Sequence, residues 1–170
     1  MIAQSIEQRL PYSISVCGRG EVEYFRDDNI THLLSIDSPG SPTPTPEWFN
    51  GVHRHFAFAD VENKATAYAF GVVAPGKEDV KEILGFGREC LEDSLKGRVH
   101  LVIHCLAGVS RSPAAAYAIM CMLLGPGYEE ETFEYLLKIR SCAYPNTLMV
   151  KYADQILDRR KAMIKAQKDR

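Results

Sequence analysis

At 170 residues the chain is long enough to bury a sizeable core in one domain, and it is short for two. Hydrophobic residues at 46% and charged residues at 25% are ordinary for a soluble globular protein, and no apolar run is long enough to span a bilayer. A formal charge of −2 gives no reason to expect nucleic acid or a membrane surface as partner.

The predicted elements run as follows. Residues 12–17 (Tyr-Ser-Ile-Ser-Val-Cys) alternate and are rich in β-formers, so they predict a strand, broken by Gly18 and Gly20. Residues 21–25 have room for one or two helical turns. Residues 31–36 predict a second, buried strand. The proline-, serine- and glycine-rich stretch 37–46 predicts a loop, with Trp48 and Phe49 pinning it to the core. Residues 52–58 predict a third strand, ending in Ala59-Asp60-Val61-Glu62. Residues 63–75 carry Tyr68 and Phe70 among small residues and read as a short helix or a lid. Val80, Ile83, Leu84, Cys90 and Leu91 recur at helical spacing, which predicts a helix over 77–95, closed by Gly97. A strand over 99–104 follows.

Pro113 suits the first turn of a helix, with Ser112 as its cap. Residues 114–124 are apolar on nearly every face, which predicts a central buried helix ended by Gly125-Pro126-Gly127. Three acids open a further helix over 129–142, as the helix dipole prefers. A turn at 143–146 leads to a last helix from 147 past 157. The basic stretch 159–170 reads as a solvated or frayed helix end. There is no internal repeat and no linker, so one domain over 1–170 is expected. Strands separated by helices predict an α/β fold with a central, mainly parallel sheet flanked by helices. Ligands of such sheets bind beyond the carboxyl ends of the strands.

The most informative stretch is His104-Cys105-Leu106-Ala107-Gly108-Val109-Ser110-Arg111-Ser112. An apolar run leads in, and Pro113 with an alanine-rich run leads out, which reads as strand, tight loop, helix. Such a loop aims several backbone N–H groups at one spot, and the positive end of the helix dipole faces the same spot. Cys105 then stands among donors and beside a cation, the setting in which cysteine acts as a thiolate. The Arg111 fork fits two phosphate oxygens. Gly108 permits backbone angles closed to other residues. The hydroxyls of Ser110 and Ser112 can donate to the sulfur.

This stretch resembles the signature loop of the cysteine-dependent protein tyrosine phosphatases: His-Cys, five residues, Arg, then Ser or Thr. The Ala-Gly-x-Ser-Arg-Ser wording is most similar to the dual-specificity branch. Arg140, the Tyr144-Pro145-Asn146 turn and a helix carrying Tyr152 are similar to that branch too, as are residues 30–36. The resemblance implies a phosphatase domain of this fold. It implies a phosphate site made by Cys105, Leu106, Ala107, Gly108, Val109, Ser110 and Arg111. It also implies chemistry in two displacements through a phosphocysteine on Cys105, with no cofactor and no metal. His104 and Ser112 are expected to support the loop. A carboxylic acid must protonate the leaving oxygen and later act as base. Asp60 is the candidate, since it directly follows a strand and the family places its acid there. Asp37 and Glu62 are its competitors. A rhodanese-type sulfurtransferase, which also holds a cysteine in an anion loop, is the minor alternative to this reading.

Leu106, Ala107 and Val109 make the loop wall neutral, which favours a phosphotyrosine or other phosphoprotein substrate. An inositol polyphosphate or another small phosphomonoester is the alternative, and a catalytically silent phosphate-binding module the third. The five scattered cysteines form no close pairs, so reduced thiols and a cytoplasmic setting are expected, and no basic-then-apolar start marks a signal peptide. No metal-ligand spacing occurs, and His53 and His55, alternating on a strand, read as surface or satisfied residues. Cys17 should end a neighbouring strand, from which it could trap an oxidised Cys105 as a disulfide. A monomer is expected.

Overall fold

The computed structural model describes residues 4–169. Four strands form one sheet: β1 (Ser13–Gly18), β2 (His32–Asp37), β3 (Val52–Ala57) and β4 (His100–Cys105). Their order is β1-β4-β2-β3 and every pair is parallel. The helices are α1 (Ile6–Arg9), α2 (Lys64–Phe70), α3 (Lys77–Ser94), α4 (Arg111–Leu124), α5 (Glu129–Ile139), α6 (Thr147–Ile156) and α7 (Ala162–Lys168), with a 3-10 turn over Arg19–Phe25.

The register sorts the strand side chains into two cores. Ile14 pairs with Leu101, Val16 with Ile103 and Gly18 with Cys105, and paired residues project to the same face. That face carries Leu34, Ile36, Leu101, Ile103 and Cys105 and packs on α3, α4, α5 and α6. The other face carries Cys17, Leu33 and Val102 under Val22 and Phe49. Phe49 is buried, and the Trp48 indole N–H donates to the Glu23 carboxylate at 2.7 Å, so these two residues do pin the loop before β3. Helix α4 is central, as its all-round apolar sequence predicts. Its Tyr117 is fully buried, donates to the Glu129 carbonyl at 3.0 Å and packs edge-on to Phe133.

Several expectations are corrected. Residues 159–170 are not a frayed end over their described part. Asp154, itself buried, accepts the Lys161 and Met163 N–H groups at 2.8 and 3.0 Å and so caps α7. Met163 and Ala166, three residues apart, are then buried against the molecule. Arg159 donates to the Cys121 carbonyl at 2.9 Å and pairs with Glu129. Helix α5 stops at Ile139 rather than 142, and strand β4 sits one residue later than expected, so that Cys105 is its last residue. Helix α4 starts at Arg111, which puts Ser112 inside the first turn and makes Ser110 the N-cap residue. The four-residue α1, closed by a Ser5–Gln8 capping box, is too short for periodicity to reveal. Residues 63–75 do contain a short helix, α2, with Asn63 as cap and Gly71 as its left-handed end.

Candidate active site

Cys105 ends β4 at the carboxyl edge of the sheet and is 2% exposed. The loop 106–110 turns from there into α4. Gly108 has φ of 69°, and a Cβ on it would lie 2.4 Å from the Cys17 carbonyl carbon. Both facts demand glycine: the backbone is left-handed and the loop lies against the end of β1.

The loop's hydrogen bonds divide cleanly. Every carbonyl is engaged from outside. Leu106 O accepts from the Arg19 N–H at 3.1 Å, and Val109 O from the Tyr144 N–H at 2.7 Å. Ser110 O accepts from Asn146 and Ala114, each at 3.1 Å. Arg140 donates to Ala107 O and Gly108 O, both at 3.0 Å, while Glu21 holds its guanidinium at 2.9 Å. Glu21 in turn accepts the Gly18 N–H at the end of β1. Among the described residues, the N–H groups of Ala107, Gly108, Val109 and Ser110 have no acceptor. Unpaired amides are rare in folded proteins, and four in succession mark a place for an anion.

Two side chains complete the cradle. Ser112, fully buried, donates to the Cys105 sulfur at 3.2 Å. Arg111 is 3% exposed; its Nη1 donates to Phe58 O at 2.8 Å and to Ser38 Oγ at 3.3 Å. Its Nε is buried and has no acceptor among the described residues. A buried donor without a partner is costly unless a ligand supplies the acceptor. Phe58 O and Ser38 are contributions that sequence reasoning missed, since neither carries a motif.

Asp60 is exposed and its carboxylate reaches the loop. Oδ1 accepts from Ser110 Oγ at 2.6 Å and from Asn146 Nδ2 at 2.9 Å. Buried Asn146 also donates to Val61 O and caps α6 through its Oδ1, so one side chain pins the acid segment to the helix after the Pro-Asn turn. The Ser110 hydroxyl therefore serves Asp60 and not the sulfur, which corrects the expectation for it. The competitors lie differently. Asp37 is buried and accepts from Thr43 N, Thr43 Oγ1 and Arg19 at 2.7–2.8 Å. Burial works to raise its pKa, but these donors outweigh burial and hold it below the ordinary carboxylate range. Glu62 is exposed and points into a neighbouring groove.

His104 is fully buried, with Nε2 2.5 Å from Ser35 Oγ and Nδ1 3.5 Å from the Cys105 carbonyl. Burial pushes its imidazole below the ordinary histidine range. Ser35 continues to His53, whose other ring nitrogen meets Thr45. Cys17 pairs with His104 in the ladder and so leaves the sheet on the face opposite Cys105. It is not poised to trap Cys105, and burial, followed by the Glu21 carboxylate, pushes its thiol up to about 12.

No family model matches the chain, and no curated protein matches it by sequence. Solved structures do. The structure of DUSP15 is 21% identical and superposes with a TM-score of 0.64 over 92% of this chain and 89% of that one. A mouse putative dual specificity phosphatase complexed with zinc tungstate is 16% identical, with a TM-score of 0.60 over 86% and 80%. PTPMT1 in complex with PI(5)P is 14% identical, with a TM-score of 0.61 over 91% and 94%. This is the dual-specificity phosphatase fold. In that fold the Cys105 loop, the Asp60 segment and the Asn146 turn meet at one edge of the sheet.

Proposed function

We propose that the chain is a metal-independent phosphate monoester hydrolase that works through a phosphocysteine on Cys105, with a phosphorylated protein as substrate. One observation carries this reading. All five loop carbonyls from 106 to 110 are bonded outward, leaving four consecutive amides and the buried Arg111 Nε without acceptors around a cysteine at the end of a strand.

The chemistry follows from these groups. The amides and Arg111 hold the equatorial oxygens of the phosphoryl group and supply the positive field that a metal would otherwise give. The Cys105 thiolate attacks phosphorus; the S–P bond forms as the P–O bond to the leaving group breaks, and Asp60 gives its proton to the leaving oxygen. Water then attacks the phosphocysteine while Asp60 takes its proton. The S–P bond breaks, the Ser112 hydroxyl stabilises the departing thiolate, and inorganic phosphate leaves. His104 is a positioning residue, held by Ser35 and the Cys105 carbonyl, with burial pushing its imidazole below the ordinary histidine range. The same loop without turnover would be a silent phosphate-binding module, and the intact Cys105, Arg111 and Asp60 argue against that.

Leu106, Ala107 and Val109 give the loop wall no charge, which supports a phosphoprotein over an inositol polyphosphate. The PI(5)P bound in PTPMT1 makes a phosphoinositide the second reading. The test is phosphate release, in a chelator, from a phosphotyrosine peptide, a phosphoserine peptide and an inositol polyphosphate, with Cys105→Ser as blank. Release from the tyrosine peptide, lost in the variant, is the expected result. Release chiefly from the inositol compound would overturn the substrate class, and none above the blank would overturn the enzyme.

A further inference from the structure

Beside the candidate active site lies a groove of about 860 Å³ that the proposed chemistry does not use. Two of its residues join it to the mouth of the site. Tyr144, 66% exposed, is the residue whose N–H holds the Val109 carbonyl, and Glu62 stands two positions after Asp60. Leu148 and Ile164 give it an apolar side. Its charged lining is Lys64 from α2, Lys151 from α6 and Lys168 from α7, against Glu62 alone. Among the described residues none of these three lysines has an ion-pair or hydrogen-bond partner. An acidic chain thus gathers a surplus of two positive charges into one groove at the edge of the site.

We propose that this groove binds an acidic segment of the phosphorylated polypeptide, next to the phosphoresidue held over Cys105. The proposal rests on the phosphatase reading and adds a selectivity to it. The three ammonium groups come from separate helices and are exposed. Scattered point charges on flexible stems suit a run of carboxylates along an extended chain better than one compact phosphate, which favours a fork or a nest. Tyr144, Leu148 and Ile164 supply apolar contact for the side chains between the acids.

The test uses three phosphotyrosine peptides: acidic residues before the phosphotyrosine, acidic residues after it, and alanine on both sides. Binding to the Cys105→Ser protein is read by fluorescence anisotropy, and KM and kcat are read with the active chain. At low salt one acidic peptide should bind about tenfold more tightly than the alanine peptide, through KM and not kcat, and the preference should fade as salt rises. Lys64→Ser/Lys151→Ser/Lys168→Ser, checked for an unchanged melting temperature, should bring the ratio of acidic to alanine peptide near one. The conservative Arg triple replacement should keep it. An equal affinity for all three peptides, or a preference that survives the serine variant, overturns the groove. So does lysine-dependent capture by phosphatidylserine vesicles without any peptide preference. Lysine-dependent binding of the acidic peptide with no turnover would sustain the groove and overturn the catalytic reading, so the two fail separately.

Discussion

Asp37 ends β2 and Asp60 lies just past β3, and their surroundings give them opposite uses. Asp37 is enclosed by Arg19 and Thr43 and anchors the loop before β3. Asp60 is exposed, and among the described residues its Oδ2 has no donor while Ser110 and Asn146 steady Oδ1. Removing the Asp60 carboxylate should leave phosphate binding in place and slow turnover about a hundredfold. The effect should be large for an alkyl phosphate, whose leaving oxygen needs a proton, and small for an aryl phosphate with an acidic phenol. Equal loss on both substrates would remove Asp60 as the acid. The sequence contained the loop because its five fixed residues, His104, Cys105, Gly108, Arg111 and Ser112, fall within nine consecutive positions. It left three carboxylates open because the choice depends on Asn146, which reaches Asp60 across 86 positions.

Elements were legible where the pattern was long. The four strands and helices α3, α4, α5 and α6 all stand out by period, with ends moved by a few residues. The ends moved for tertiary reasons. Helix α5 stops where Arg140 swings to the loop carbonyls, which 129–142 read alone cannot reveal. Helix α7 was hidden because its composition is basic and only Met163 and Ala166 are buried. Its docking has a measurable size. Met163→Ala should destabilise the fold by about 2–5 kcal/mol in urea unfolding, as a fully buried methionine does. Exposed Lys165→Ala should cost almost nothing. A negligible change at Met163 would return 159–170 to the frayed end that its composition suggests.

At the scale of the whole molecule, buried and half-buried histidines set the response to acid. Burial, then the neighbouring His55 and His104, lowers His53 to about 4; burial also lowers His100 and His104. The unfolded chain takes up these protons near pH 6.5, and the folded chain resists them. Stability from these groups is therefore complete above about pH 6.5 and is lost as pH falls from there toward about 4. Melting temperature should drop over that window, and His53→Gln should drop less between about pH 7 and about pH 4.5. Equal drops would clear His53 of the effect. The sheet has a second consequence, through the separation of Cys17 from Cys105. A peroxide-oxidised Cys105 sulfenic acid finds no resolving thiol on the neighbouring strand, because Cys17 leaves β1 on the opposite face of the sheet. After a brief peroxide pulse, dimedone should label Cys105, and tryptic digests should contain no Cys17–Cys105 linked peptide. Recovery of such a chain would not run through Cys17, so its silence under oxidative stress would last until a thiol other than Cys17 reached the sulfenic acid.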